Sequence, residues 1–278
     1  MCQLFALNCN APTAVTFAFT GLSARGGDTG EHQDGFGLVF HDRNSCRQFI
    51  DDGRASDAAL AVFLRSHPIR ARTVIGHIRK ATQGAVQLSN SHPFVREWQG
   101  RYWSFSHNGD LKNFHPRLDG SHLPVGNTDS ELAFCWILQE LRLRFPTGTA
   151  PGWRELAPAL VQLSDELSSY GTFNFTLSDG EALYAYATTR LSWLQREHPF
   201  VSAHLVDRDL SMDLSLVNGP EDKMVLIATE PLTRNERWVQ FAQGELRVFV
   251  DGDPVWVRTP STSLGTRSVQ RDTVRQAA

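Results

Sequence analysis

The stretch MCQLFALN (residues 1–8) puts a cysteine directly behind the initiator methionine, at the start of an apolar run. Residues 2–8 read as a β-strand. Cysteine is small, and a methionine before a small residue is normally trimmed. Trimming would leave Cys2 with a free α-amine beside its thiol, so that one residue carries both a nucleophile and a base. A cysteine at position 2 means nothing by itself. The remaining sequence has to supply a use for it.

Further strands follow in DGFGLVFHD, RTVIGHIRKAT, RYWSFSHNG, GTFNFTLSDG, EALYAYATT, KMVLIATEPL and GELRVFVDG. Ser178-Asp179-Gly180 joins two alternating runs and is a hairpin signal. Asp57 to His67 is an amphipathic helix. TDSELAFCWILQELRLRF (128–145) is a second, with Leu132, Cys135, Trp136 and Leu143 at helical spacing. Its start, Thr128-Asp129-Ser130-Glu131, has the pattern of a capping box. WRELAPALVQLSDELSSYG is a third helix, in which Pro158 implies a late start or a kink. Hairpin-linked strands separated by helices argue for an α+β fold rather than a parallel doubly wound sheet. Residues 1–258 read as one domain, and 259–278 as a polar, aperiodic, disordered tail.

The 278 residues carry a net charge of −3 with scattered basic groups, which argues against a nucleic-acid or membrane-surface partner. No window approaches the ~18 apolar residues of a membrane span. The start has neither a secretory signal nor a lipoprotein leader. Cys2, Cys9, Cys46 and Cys135 form no CxxC pair, so the expected setting is a reducing cytoplasm. Cys135 reads as a core residue. Asn174-Phe175-Thr176 matches a glycosylation acceptor, a false positive in a cytoplasmic strand. The ten histidines make no HxH or HxxxH pair, so no metal is assigned, and no cofactor.

Four short stretches at strand ends or helix starts can carry chemistry. GHIRKATQG (76–84) projects Arg79 and Thr82 into a turn, and arginine suits two-pronged capture of a carboxylate. NSHPF (90–94) holds His92 extended beside Pro93. SHNGD (106–110) reads as a tight turn offering the Asn108 amide and the Gly109 N–H to an oxyanion. Asp129, in the first turn of a helix, could hold an ammonium group. Each has a plain structural alternative: a salt-bridge arginine, a hydrogen-bonded histidine, a β-turn, an N-terminal acid. Together they compose a site for an α-amino acid amide. Cys2 attacks, Asn108 and Gly109 hold the oxyanion, Arg79 holds the carboxylate and Asp129 the ammonium.

On Met-Cys, ARGGDTG with DGFG, GHIRKATQG, NSHPF, SHNGD and TDSE, the chain resembles the class II (N-terminal nucleophile) glutamine amidotransferases from Cys2 to roughly Val250. Within them it is similar to the stand-alone YafJ-like branch. The resemblance implies a four-layer αββα sandwich with the cysteine at the end of a central strand. It implies that Arg79 binds the glutamine carboxylate, with Thr82 and His92 lining the same pocket. Asn108 and Gly109 form the oxyanion hole, Asp129 binds the amino group, and Arg25 supports the site from behind. Synthase-fused relatives carry an aromatic residue where this chain has Lys80 and a histidine where it has Gln83, so aromatic packing over the ligand is absent here.

The implied activity is cleavage of the γ-amide of glutamine, or of a γ-glutamyl conjugate, through a Cys2 thioester after loss of Met1. A separate protein could accept the ammonia. Two other readings stay open: a non-catalytic glutamine-sensing or regulatory subunit with the same fold, and a plain α+β protein whose motifs are all structural.

Overall fold

A computed structural model describes residues 2–146, 148 and 151–259. Of the expected tail only Thr259 is among them; 260–278 lie outside the described residues. The chain runs through β1 (Gln3–Ala14), α1 (Thr16–Ala24), β2 (Phe36–Asp42), β3 (Ser45–Asp51), α2 (Ala59–Ser66) and β4 (Arg70–Ile78). The hairpin β5 (Phe94–Trp98) and β6 (Arg101–Leu111) leads into α3 (Asp129–Arg144) and α4 (Trp153–Ser168). There follow β7 (Gly171–Ser178), β8 (Leu183–Ala187), β9 (Ser192–Arg196), β10 (Ser202–His204), β11 (Ser211–Asp213) and β12 (Met224–Ala228). The described chain ends with β13 (Val239–Gln240), β14 (Glu245–Val250) and β15 (Asp253–Arg258).

Two antiparallel sheets stack face to face. One has the strand order β13-β9-β12-β1-β4-β2-β3, the other β15-β14-β8-β7-β6-β5. Strand alternation assigns the layers. On β1, Phe5, Leu7 and Cys9 pack with Phe19, Leu22 and Leu64 of α1 and α2, whereas Leu4 and Ala6 face the second sheet with Ile75, Ala185 and Phe249. On β6 and β7, Trp103, Phe105, Phe173 and Phe175 pack against α3 and α4. The result is the four-layer αββα sandwich expected. Burial on both faces explains why these strands read as near-continuous apolar runs, each fully buried Leu or Phe contributing about 1.5–3 kcal/mol.

One helix goes unannounced in the sequence, and two local expectations need revision. Residues 16–24 form a helix that propensity does not announce, since threonines, phenylalanines and a glycine fill it; burial of Phe19 and Leu22 overrides the local preference. Pro158 does not delay α4, which begins at Trp153 and runs through the proline to Ser168; the missing N–H removes the bond to the Arg154 carbonyl. Leu143 is 62% exposed, while Phe134, Ile137, Leu138 and Leu141 are buried. The helix α3 is covered on most sides, so no narrow stripe marks its core face. Cys135 is fully buried as expected, and Thr128 accepts the Glu131 N–H at 3.2 Å. The reciprocal half of the capping box does not form. The Glu131 carboxylate turns instead to the N–H groups of Val125 and Gly126 and to Arg96.

Candidate active site

Cys2 immediately precedes β1, the middle strand of the first sheet. At this end of the sandwich β4 stops at Ile78, β6 runs out to Leu111 and α3 begins. The sheet delivers the thiol to the end of β4: Sγ accepts the Lys80 N–H at 3.3 Å and lies 3.4 Å from the Lys80 carbonyl. Burial pushes the thiol pKa up. The Lys80 N–H and the Arg79 charge oppose this, and Asp129 reinforces it. The thiol therefore feels a cation and a carboxylate from two different elements.

Asn108 touches Cys2 directly. Its Nδ2 donates to the Cys2 carbonyl oxygen at 2.6 Å and lies 3.4 Å from Thr229 Oγ1. Thr229 in turn accepts the Leu4 N–H at 2.9 Å, tying β12 to the same strand start. The expected tight turn at Asn108-Gly109 is absent. Both residues lie inside β6, with Asn108 opposite Asn174 and Gly109 opposite Phe173. The glycine serves close strand approach instead: a Cβ there would fall 1.8 Å from the Thr172 carbonyl oxygen and 2.5 Å from His107 Nε2.

Arg79 is buried, and its guanidinium donates to the carbonyls of Gln83 (2.8 Å), Ala85 (3.0 Å), Gly84 (3.3 Å) and Asp34 (3.5 Å). No carboxylate pairs with it among the described residues. Desolvation pulls its pKa down, as expected for a cation held only by neutral dipoles. Asp129 is the complementary case. Its carboxylate accepts the N–H groups of Leu111 (2.8 Å) and Ser130 (2.9 Å), and no cation pairs with it among the described residues. The site thus holds one unpaired guanidinium and one unpaired carboxylate around a thiol.

The remaining expected residues are placed unevenly. His92 is buried against His77, with ring centroids 4.2 Å apart, and against Phe94; neither ring nitrogen finds a partner, and burial pushes its pKa well below the ordinary value. Thr82 is exposed in the loop after Arg79. Arg25 is a buried strut. It pairs with Asp207 at 2.8 Å and donates to Gln3 Oε1 and to the carbonyls of Glu230 and Pro231. Through Gln3 it braces the residue next to Cys2.

Several residues that shape the site escape sequence reasoning. Asn90, fully buried, donates to the Ala85 carbonyl and to Asn127, clamping the Arg79 loop against the start of α3. Gln83 reaches Asp110, which ties the same loop to β6. Asn174, dismissed above as a spurious glycosylation match, donates to the Asn108 carbonyl at 2.8 Å. A buried asparagine flanked by strand phenylalanines was the available signal for it. Among the described residues no group of three His, Cys, Asp or Glu is arranged to hold a metal. No helix there is long and apolar enough to cross a membrane.

A sequence profile described as "Glutamine amidotransferases class-II" matches residues 1–272. A protein of Escherichia coli K12 named "Putative glutamine amidotransferase YafJ" is 42% identical over 255 residues, covering 92% of this chain and all of its own length. The crystal structure of a predicted glutamine amidotransferase from Pseudomonas aeruginosa superposes with a TM-score of 0.73 at 39% identity, over 91% of this chain and 99% of that one. Glutamine PRPP amidotransferase of B. subtilis shares the fold at 14% identity and a TM-score of 0.57, over 90% of this chain and 47% of that one. The sandwich is thus that of the N-terminal nucleophile amidotransferases, and the chain belongs to the class II glutamine amidotransferases.

Proposed function

We propose that this protein hydrolyses the γ-amide of glutamine or of a γ-glutamyl conjugate, with Cys2 as nucleophile after Met1 is removed. One observation carries this reading. Arg79 and Asp129, neither of them ion-paired among the described residues, both act electrostatically on the Cys2 thiol, and the Asn108 amide touches the Cys2 backbone. A γ-glutamyl group brings an α-carboxylate for Arg79, an α-ammonium for Asp129 and a scissile carbonyl for the thiol.

The freed α-amine takes the thiol proton, directly or through a water. Ordinary values of about 7.7–8.0 for the amine and 8.5 for the thiol put that transfer near balance; burial of Cys2 tilts it against the thiolate, and the Lys80 N–H and the Arg79 charge oppose that tilt. The thiolate adds to the γ-carbonyl. The negative oxygen is held by the Gly109 N–H and by the second hydrogen of Asn108 Nδ2, which exchanges its long 3.4 Å bond to Thr229 Oγ1 for the oxyanion while the first stays on the Cys2 carbonyl. The C–N bond then breaks as the amine returns its proton to the leaving nitrogen, giving ammonia or a free amine and a γ-glutamyl thioester. Water cleaves the thioester to glutamate and regenerates the thiol. Arg25 acts at a distance, fixing Gln3. Thr82, exposed on the Arg79 loop, and His92, buried against His77 and Phe94, take no part in the reaction in this reading.

The test is glutamate release from glutamine and from a panel of γ-glutamyl amides by protein whose intact mass shows loss of Met1. Turnover by wild-type protein and none by Cys2→Ala is expected. Ligand binding without turnover by the trimmed protein would instead identify a glutamine sensor.

A further inference from the structure

At the end of the sandwich opposite Cys2, β1 bulges. Its pairing with β4 passes from Asn8↔Thr73 to Thr13↔Ala71, so the extra residues of β1 between Asn8 and Thr13 lie opposite Arg72 alone. The bulge opens a cavity of about 740 Å3, a size suited to a small molecule. Buried Asn8, Thr73 and His41 form its floor.

The rim is unusual for a chain of net charge −3. Five arginines converge on it, from the β2–β3 hairpin, from β4 and from β6. Arg101 is outnumbered by Asp179 (2.8 Å) and Glu181 (2.9 Å), which leaves that group with one carboxylate in excess, and Arg72 pairs with Asp251 at 3.5 Å. Arg70 meets only the Pro12 carbonyl, and Arg43 and Arg47 have no partner among the described residues. Against these three stand Asp42, which has no partner among the described residues, and the excess carboxylate beside Arg101, so that the five arginines still outnumber the lining acids.

The hairpin is held rigidly. The Asn44 carbonyl accepts the Tyr102 N–H at 2.9 Å, and the Arg43 carbonyl lies so close to Gly180 that a Cβ there would be 2.2 Å away. Arg43 itself adopts φ 55°, a left-handed conformation that tight hairpins normally give to Gly or Asn. A long cation occupies a position that conformation alone would assign to a small residue. Below it, His41 Nε2 is 2.7 Å from Ser104 Oγ, while Nδ1 is buried without a partner.

We propose that this cavity binds a small, multiply charged anion, a phosphate ester or a polycarboxylate, with Arg43, Arg47 and Arg70 as its principal ligands. Guanidinium groups match both chemistries through paired N–H donors. The site is separate from Cys2 and does not depend on the activity proposed above.

Calorimetric titration of the full chain with pyrophosphate, a nucleoside monophosphate and citrate tests the proposal, in wild type and in R43A/R47A. A Kd below about 1 mM for at least one anion, weakened tenfold or more in the double variant at unchanged Tm, is the expected result. Which titrant binds separates phosphate from carboxylate. R43K/R47K restores charge without the fork and should recover only part of the affinity. Absence of binding by all three, or equal binding by R43A/R47A, overturns the proposal. The arginines would then serve only to keep the edge strand β3 from pairing with another chain, and the double variant would associate instead.

Discussion

Asn108 Nδ2 sits 2.6 Å from the carbonyl oxygen of Cys2, so the proposed oxyanion donor also fixes the backbone of the proposed nucleophile. One substitution should therefore remove a transition-state donor and loosen the attacking residue together. Asn108→Ala should lower kcat by about 10²–10³-fold, the usual loss for one such donor, with a smaller change in KM. A defect confined to KM would place Asn108 in substrate binding.

Blocking Met1 removal with an uncleavable extension should abolish turnover and leave the fold intact, because the proposed base exists only as a free terminus. Cys2→Ala should be equally inactive. Cys9→Ser should keep most activity. Its thiol lies near the β1 bulge against the Ala71 and Arg72 carbonyls, and burial pushes its pKa up to about 12. Full glutamate release by the extended protein would remove Cys2 from the mechanism, and loss of activity in Cys9→Ser would point to the other thiol.

Gly109→Ala should cost stability as well as activity. The added Cβ meets a backbone oxygen at 1.8 Å, which no side-chain rotation relieves, so β6 and β7 must separate. Overpacking of this kind costs about 1–3 kcal/mol or more. A normal thermal midpoint in Gly109→Ala would show that the strands are looser than the register implies.

Apolar runs bounded by turns were enough to locate most strands and three helices, because period and punctuation are local. The Asn108-Gly109 pair was misplaced for a local reason too: Asn-Gly is the strongest turn signal available, and only the ladder to β7 keeps it extended. Asn90 and Asn174 were missed because their importance lies wholly in partners distant along the chain. Arg79 and Asp129 were legible as residue types, but their lack of partners could be seen only in three dimensions.

Acid should destabilise the protein early. His41 is 3% exposed, and burial pushes its pKa down to about 4. The folded state then binds fewer protons than the unfolded one between pH 6.5 and 4. Its contribution is complete above 6.5 and is lost as pH falls through that window, by about 3 kcal/mol. His77, held down to about 3 by burial, acts in the same direction. Urea midpoints should fall between pH 6.5 and 5.5, above the range in which ordinary carboxylates titrate, and His41→Gln should flatten that slope. An unchanged slope would mean that His41 is solvated in the native state.

Arg79→Lys and Asp129→Asn should each weaken recognition of one end of the glutamyl group. Lysine keeps the charge at 79 but has no planar fork, and it also cannot span the carbonyls of Gln83, Gly84 and Ala85. Arg79→Lys is therefore expected to loosen that loop, whereas Asp129→Asn can still accept from Leu111 N–H. Binding must be compared across ligands to separate recognition from loop order. An analogue without the α-carboxylate should be nearly indifferent to Arg79→Lys, and one without the α-amine nearly indifferent to Asp129→Asn. Equal losses for every ligand, or a fall in Tm that tracks the fall in affinity, would make both residues scaffolding for the β4–α3 junction. Ligand-specific losses at constant Tm are what two unpaired charges beside one thiol require.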